Sequence, residues 1–141
     1  GEVPRLHDIG KNLKMYTALS AAIHSDLVAS AHDCSDGGLA VSLAEMCIGG
    51  RQGASIDISK ISETTLFSRL YGESLARIVV AIRPENKEAF ENSMSGNHFT
   101  LIGESTNSNY LEIKSASEKI LKLNLDQIVE AWQSTFKGGD F

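Results

Sequence analysis

Apolar positions along the chain fall into alternating helical and strand periods. Leu13, Tyr16, Leu19, Ala22 and Ile23 recur at helical spacing and predict a first helix from Lys11 to about His24. Leu27 to Ala31 is a short apolar run before polar turn residues and reads as a buried strand. A turn from Asp33 to Gly38 follows. Leu39, Leu43, Met46 and Cys47 then make an i, i+4, i+7, i+8 face of a second helix, with Gly49-Gly50 expected to stop it. Ala54 to Ile58 alternates as a strand, Thr64 to Leu70 suits a short helix, and Tyr71 to Ser74 suits a turn. Ala76 to Ile82 is the most β-branched run and the clearest strand. Pro84 fits the first turn of a helix reaching about Met94. His98–Gly103 and Tyr110–Lys114 read as a strand pair joined by the polar loop STNSN, and Lys119–Leu123 as a further strand. Leu125 to Thr135 carries Ile128, Val129 and Trp132 on one face of a last helix, and the tail KGGDF is expected to fray.

Helices and strands are mixed without a clean β-α alternation. The expected class is therefore α+β, a mixed β-sheet with packed helices, rather than a doubly wound parallel fold. No internal repeat, low-complexity stretch or linker interrupts the pattern, so residues 1–141 are read as a single domain.

Composition narrows the class without changing it. At 42% hydrophobic and 22% charged residues, 141 residues suffice for a genuine core. A net charge of -5 with no Lys/Arg cluster argues against nucleic acid as a partner. No apolar run approaches the roughly 20 residues that span a bilayer, so no membrane partner is expected. The polar start GEVPRLHDIGKNLK has no signal-peptide core. Cys34 and Cys47 are too few for a disulfide framework or a zinc site, and a cytoplasmic, reduced setting is the expectation.

The chemistry concentrates at Asp33 to Gly38, where three readings stay open. Gly37 and Gly38 lack a Cβ, so a phosphate could dock on the N–H groups that start the following helix. Alternatively Asp33 and Asp36 could offer carboxylate oxygens to Mg²⁺. The third reading makes Asp36 a simple helix cap, with the glycines letting the chain turn. On residue types alone the third is favoured, because Asp36 repels a phosphate unless a cation neutralises it. His32 suits a structural hydrogen bond at a strand end better than a general base. Cys34 lacks an identifiable partner histidine and reads as a bystander. A second polar cluster, YGESLAR, places Glu73, Ser74 and Arg77 before the clearest strand. Arg77 could meet a phosphate bidentately; otherwise the cluster is a solvated loop with a weak ion pair.

Together these blocks carry a resemblance. AHDCSDGGLAVSLAEMCIGG, LFSRLYGESLARIVVAI, the IGES segment at Ile102–Ser105 and the tail IVEAWQSTF resemble the C-terminal, AIR-synthase-related domain of the phosphoribosylformylglycinamidine synthase family over nearly the whole chain. The resemblance implies an ATP- and Mg²⁺-dependent ligase. In it, ammonia from a glutaminase attacks phosphate-activated formylglycinamide ribonucleotide. It implies as partners the remaining domains of the same synthase chain, a glutaminase subunit and a small accessory subunit. The family's catalytic histidines and most of its metal ligands lie in segments outside this chain. No catalytic residue, metal ligand or cofactor is therefore expected here, and the isolated chain should be inactive. Ser35, Gly37, Gly38 and Arg77 become the residues expected to face phosphate, with His32, Asp33, Asp36, Glu73 and Ser74 as secondary ones.

Two departures from the family pattern stand out. Cys34 replaces a small β-branched residue. The E-S-Q-x-R pattern reads Glu73-Ser74-Leu75-Ala76-Arg77, with Leu75 in place of glutamine, which suits the degenerate, structural copy of a duplicated site. The compact tail suits the multi-subunit form of the enzyme. Within the same superfamily, aminoimidazole ribonucleotide synthase, selenophosphate synthetase, thiamine monophosphate kinase and the hydrogenase-maturation dehydratase remain alternatives. A non-catalytic assembly module is the alternative of another class.

Overall fold

A computed structural model describes residues 8–62 and 65–137, and side chains as far as Ser134. The expectations for the start of the chain before Asp8, for Thr64 and for the tail from Gly138 lie outside the described residues. The chain forms two compact units. One holds the described residues to Ser42 together with Leu70–Thr100, and the other holds Leu43–Arg69 and the described residues from Leu101.

The first unit opens with α1 (Ile9–His24). Asp8 caps it by accepting the Lys11 N–H at 2.9 Å, which starts the helix two residues before the apolar period does. The inward face carries Leu19 and Ala22 with Met15 and Ala18. The predicted face was rotated from this one: Leu13, Tyr16 and Ile23 are exposed. Helical spacing finds a helix but does not choose between two apolar stripes, and Phe90 and Met94 of α4 (Lys87–Ser93) and its cap make that choice. At its C-terminus Asp26 takes a left-handed φ of 57°. The N–H of Asp26 reaches Ile23 O and that of Leu27 reaches Ala22 O, the paired bonds of a Schellman end.

That ending consumes Leu27 and Val28 as core contacts, so β1 is not Leu27–Ala31 but Ser30–Asp33. It pairs antiparallel with β3 (Ile78–Ala81), from Ser30 opposite Ala81 to Asp33 opposite Ile78. His32 and Asp33 are thus strand residues, and the turn proper begins at Cys34. A short 3₁₀ turn, Pro84–Asn86, leads into α4.

Helix α2 (Gly38–Gly50) begins in the first unit. Leu39, Leu43 and Cys47 are buried, as their spacing predicts. It ends at Gly50, where the glycine pair predicted a stop, although neither glycine is the left-handed residue. The left-handed residue is Arg51 at φ 50°, with Arg51 N–H to Ile48 O and Gln52 N–H to Cys47 O.

The second unit is a four-stranded mixed sheet in the order β4 (Gly103–Thr106), β2 (Gly53–Asp57), β5 (Tyr110–Ser115), β6 (Glu118–Asn124). β2 runs parallel to β5 and antiparallel to β4. The expected pairing of 98–103 with 110–114 is therefore corrected: β4 starts at Gly103 and flanks β2, and β5 pairs with β2 and β6. Burial gives the reason. Leu111 and Ile113 of β5 are fully buried and need strands on both sides, whereas β4 is mostly exposed and suits an edge. Leu125 and Ile128 bury the inner face of α5 (Leu125–Lys137), while Trp132 is half exposed. Helix α3 (Leu66–Tyr71) completes the elements. The sheets are two rather than one, and the mixed one carries the α+β character.

Candidate functional site

Both polar clusters read from the sequence lie in the first unit, brought side by side by the β1–β3 ladder. Past the Asp33–Ile78 pair the ladder gains one more bond, from the Cys34 N–H to Arg77 O at 2.9 Å. The SDGG turn and the YGESLAR segment thus leave the same end of a two-stranded ribbon.

Within the turn, Ser35 Oγ donates to the Asp33 carboxylate. This bond, before the Asp33 backbone and the neighbouring His32, holds the Asp33 carboxyl below the usual carboxylate range. The Gly38 N–H donates back to Ser35 O at 2.9 Å, closing a one-turn loop. Gly37 and Gly38 have φ of +79° and +62°, where side chains are strained. A Cβ on Gly38 would also stand 2.8 Å from the Tyr71 carbonyl carbon and 2.9 Å from Leu70 O. Glycine is required there because two backbones touch.

The Gly37 N–H points across to the second cluster and donates to Glu73 Oε1 at 2.9 Å. Arg77 is half-buried, and its Nη1 donates to Gly72 O at 3.3 Å. Of the four residues expected to face phosphate, Ser35, Gly37, Gly38 and Arg77, each directs a donor to an oxygen of this chain. Asp36 and Ser74 are exposed. Among the described residues no three His, Cys, Asp or Glu side chains gather closely enough to hold a metal ion.

His32 Nδ1 lies 2.7 Å from Asp33 O, the strand-end hydrogen bond its position suggested. Burial pushes the Cys34 thiol up, against smaller opposing effects of the Ser42 hydroxyl and Arg77. A thiol so placed is a poor nucleophile at neutral pH. The residue that sequence reading missed is Ser42. It is 2% exposed, and its hydroxyl sits 2.9 Å from both Asp33 O and Gly38 O, tying strand end to helix start. A serine among the apolar residues of a buried helix was the available signal.

A family model described as "AIR synthase related protein, C-terminal domain" matches residues 2–115. The phosphoribosylformylglycinamidine synthase subunit PurL of Lactobacillus helveticus (strain DPC 4571) is 39% identical over 137 residues, covering 95% of this chain and 17% of that protein. Among solved structures, T. maritima PurL complexed with FGAR superposes with a TM-score of 0.75 at 15% identity, over 83% of this chain and 20% of that one. T. maritima PurL complexed with ATP gives 0.73 at 15% identity, over 82% and 21%. The chain thus spans about a sixth of the length of the curated relative.

Proposed function

This chain belongs to the AIR synthase related protein family, as its C-terminal domain, and on that premise we propose that it is the C-type domain of a phosphoribosylformylglycinamidine synthase. The parent enzyme then converts formylglycinamide ribonucleotide, ATP and glutamine-derived ammonia to formylglycinamidine ribonucleotide in cytoplasmic purine biosynthesis. The observation that carries this reading is the 39% identity to a synthase subunit across 95% of the chain.

In the parent reaction the substrate amide oxygen takes a phosphoryl group. Ammonia then adds at the activated carbon, and phosphate leaves with that oxygen. No step of it is assigned to a residue of this chain. The domain serves as the structural, degenerate half of the enzyme, consistent with a turn whose donors are satisfied internally and with Leu75 in the E-S-Q-x-R pattern. ATP and Mg²⁺ belong to the parent, and this domain alone holds neither. Its partners are the remaining synthase domains, the glutaminase subunit and the small accessory subunit. The remaining domains also suit the exposed apolar side chains Ile9, Leu13, Tyr16 and Ile23 of α1, which a free surface leaves in water.

Two measurements test the reading. Calorimetric titration of the folded chain with Mg-ADP, and separately with formylglycinamide ribonucleotide, should give no binding heat. The chain, substituted for the matching segment of the L. helveticus subunit, should support ATP- and ammonia-dependent amidine formation. A soluble, folded hybrid without that activity points instead to another superfamily enzyme or an assembly module.

A further inference from the structure

The glycine turn has the backbone of an anion cradle, and two of its N–H groups end on oxygens of this chain. The Gly37 N–H ends on Glu73 Oε1 at 2.9 Å and the Gly38 N–H on Ser35 O at 2.9 Å. An N–H···carboxylate bond at a helix start is charge-assisted, and the partial positive charge of the helix end strengthens it. The carboxylate arrives from 36 positions along the chain. Two further features hold it there. The Tyr71 and Leu70 backbone lies so close to Gly38 that a single added carbon would stand 2.8 Å from it. Arg77 O accepts the Cys34 N–H at the far end of the same segment, while the Arg77 guanidinium bonds Gly72 O.

We propose that the Glu73 carboxylate is the resident anion of this turn: a clasp that fastens the 72–77 segment to the start of α2 and leaves neither glycine N–H for a phosphate oxygen. Glu73 is then a positioning residue whose charge does locally what a ligand's phosphate would do. The inference deepens the structural role proposed above, but it rests on this chain's own hydrogen bonds. A failed hybrid enzyme leaves it standing, and its own failure leaves the parentage standing.

The test reads backbone amides of the isotope-labelled chain by NMR. Sodium phosphate, added at constant ionic strength, should leave the Gly37 and Gly38 resonances in place. Amide exchange at Gly37 should quicken roughly ten- to a hundredfold in Glu73→Ala, the loss of one charge-assisted bond. Glu73→Gln, which keeps an acceptor oxygen, should recover part of that protection. Should Glu73→Ala not fold, the Gln variant and the phosphate titration of the wild-type chain carry the same comparison. Saturable movement of the wild-type glycine amides in phosphate overturns the proposal. So does unchanged Gly37 exchange in a folded Glu73→Ala chain.

Discussion

At the residue scale, the site is a set of short polar links with unequal consequences. Ser35 Oγ bonds an exposed Asp33 carboxylate, so Ser35→Ala should alter stability by no more than about 1 kcal/mol in urea unfolding. The same substitution should return the Asp33 carboxyl toward its ordinary range in an NMR titration, since Ser35 is the main cause of its depression. Gly38→Ala is the opposite case. Its Cβ meets immobile backbone at 2.8 Å and sits at a left-handed φ, so a loss of roughly 2 kcal/mol or more is expected in the same assay. The residue types of the turn did not reveal that a glutamate 36 positions away takes the Gly37 N–H.

At the element scale, two helix ends depend on non-glycine residues in the left-handed region. Asp26 ends α1 at φ 57° and Arg51 ends α2 at φ 50°. Asp26→Gly keeps the Asp26 carbonyl that accepts the Asn86 side chain at 3.0 Å and relieves the Cβ clash. It should stabilise the chain by roughly 0.5 kcal/mol, measured as a raised urea midpoint at constant slope. In the mixed sheet, Ile113 of β5 is fully buried between β2 and β6. Ile113→Ala should cost about 2–5 kcal/mol by the same measurement, because the vacated volume cannot collapse between paired strands. Element identity was readable wherever the period was long: α1, the body of α2, β3 and α5 fall where apolar spacing put them. Boundaries moved wherever a non-local contact decided them. Leu27 and Val28 left β1 for the core, and β4 took the far side of β2 because β5 needed both its edges covered.

At the scale of the whole molecule, pH acts through several exposed carboxylates at once. Asp57 is held below its ordinary range chiefly by the Ser59 N–H, and also by the Ala116 N–H at the β5–β6 turn. Asp8 is lowered by Lys11, Asp33 by Ser35 and Glu112 by Lys122. Each depressed group contributes stability that is present above its unfolded value and lost as pH falls through the folded one. Stability should therefore be level on the neutral side and decline once pH drops below about 4, as read by urea midpoints across an acid series. Of the described helices none is long and apolar enough to cross a membrane, in line with the short apolar runs of the chain. The sequence by itself determined the helix and strand inventory, the α+β class and the family resemblance, because these follow from local periods and from contiguous blocks such as SDGGL. Only the tertiary structure decided which stripe of α1 is buried, which strands are neighbours and which oxygen sits on the glycine turn. Those outcomes depend on groups tens of residues apart in the chain, and their competition is settled by packing and hydrogen bonding rather than by spacing.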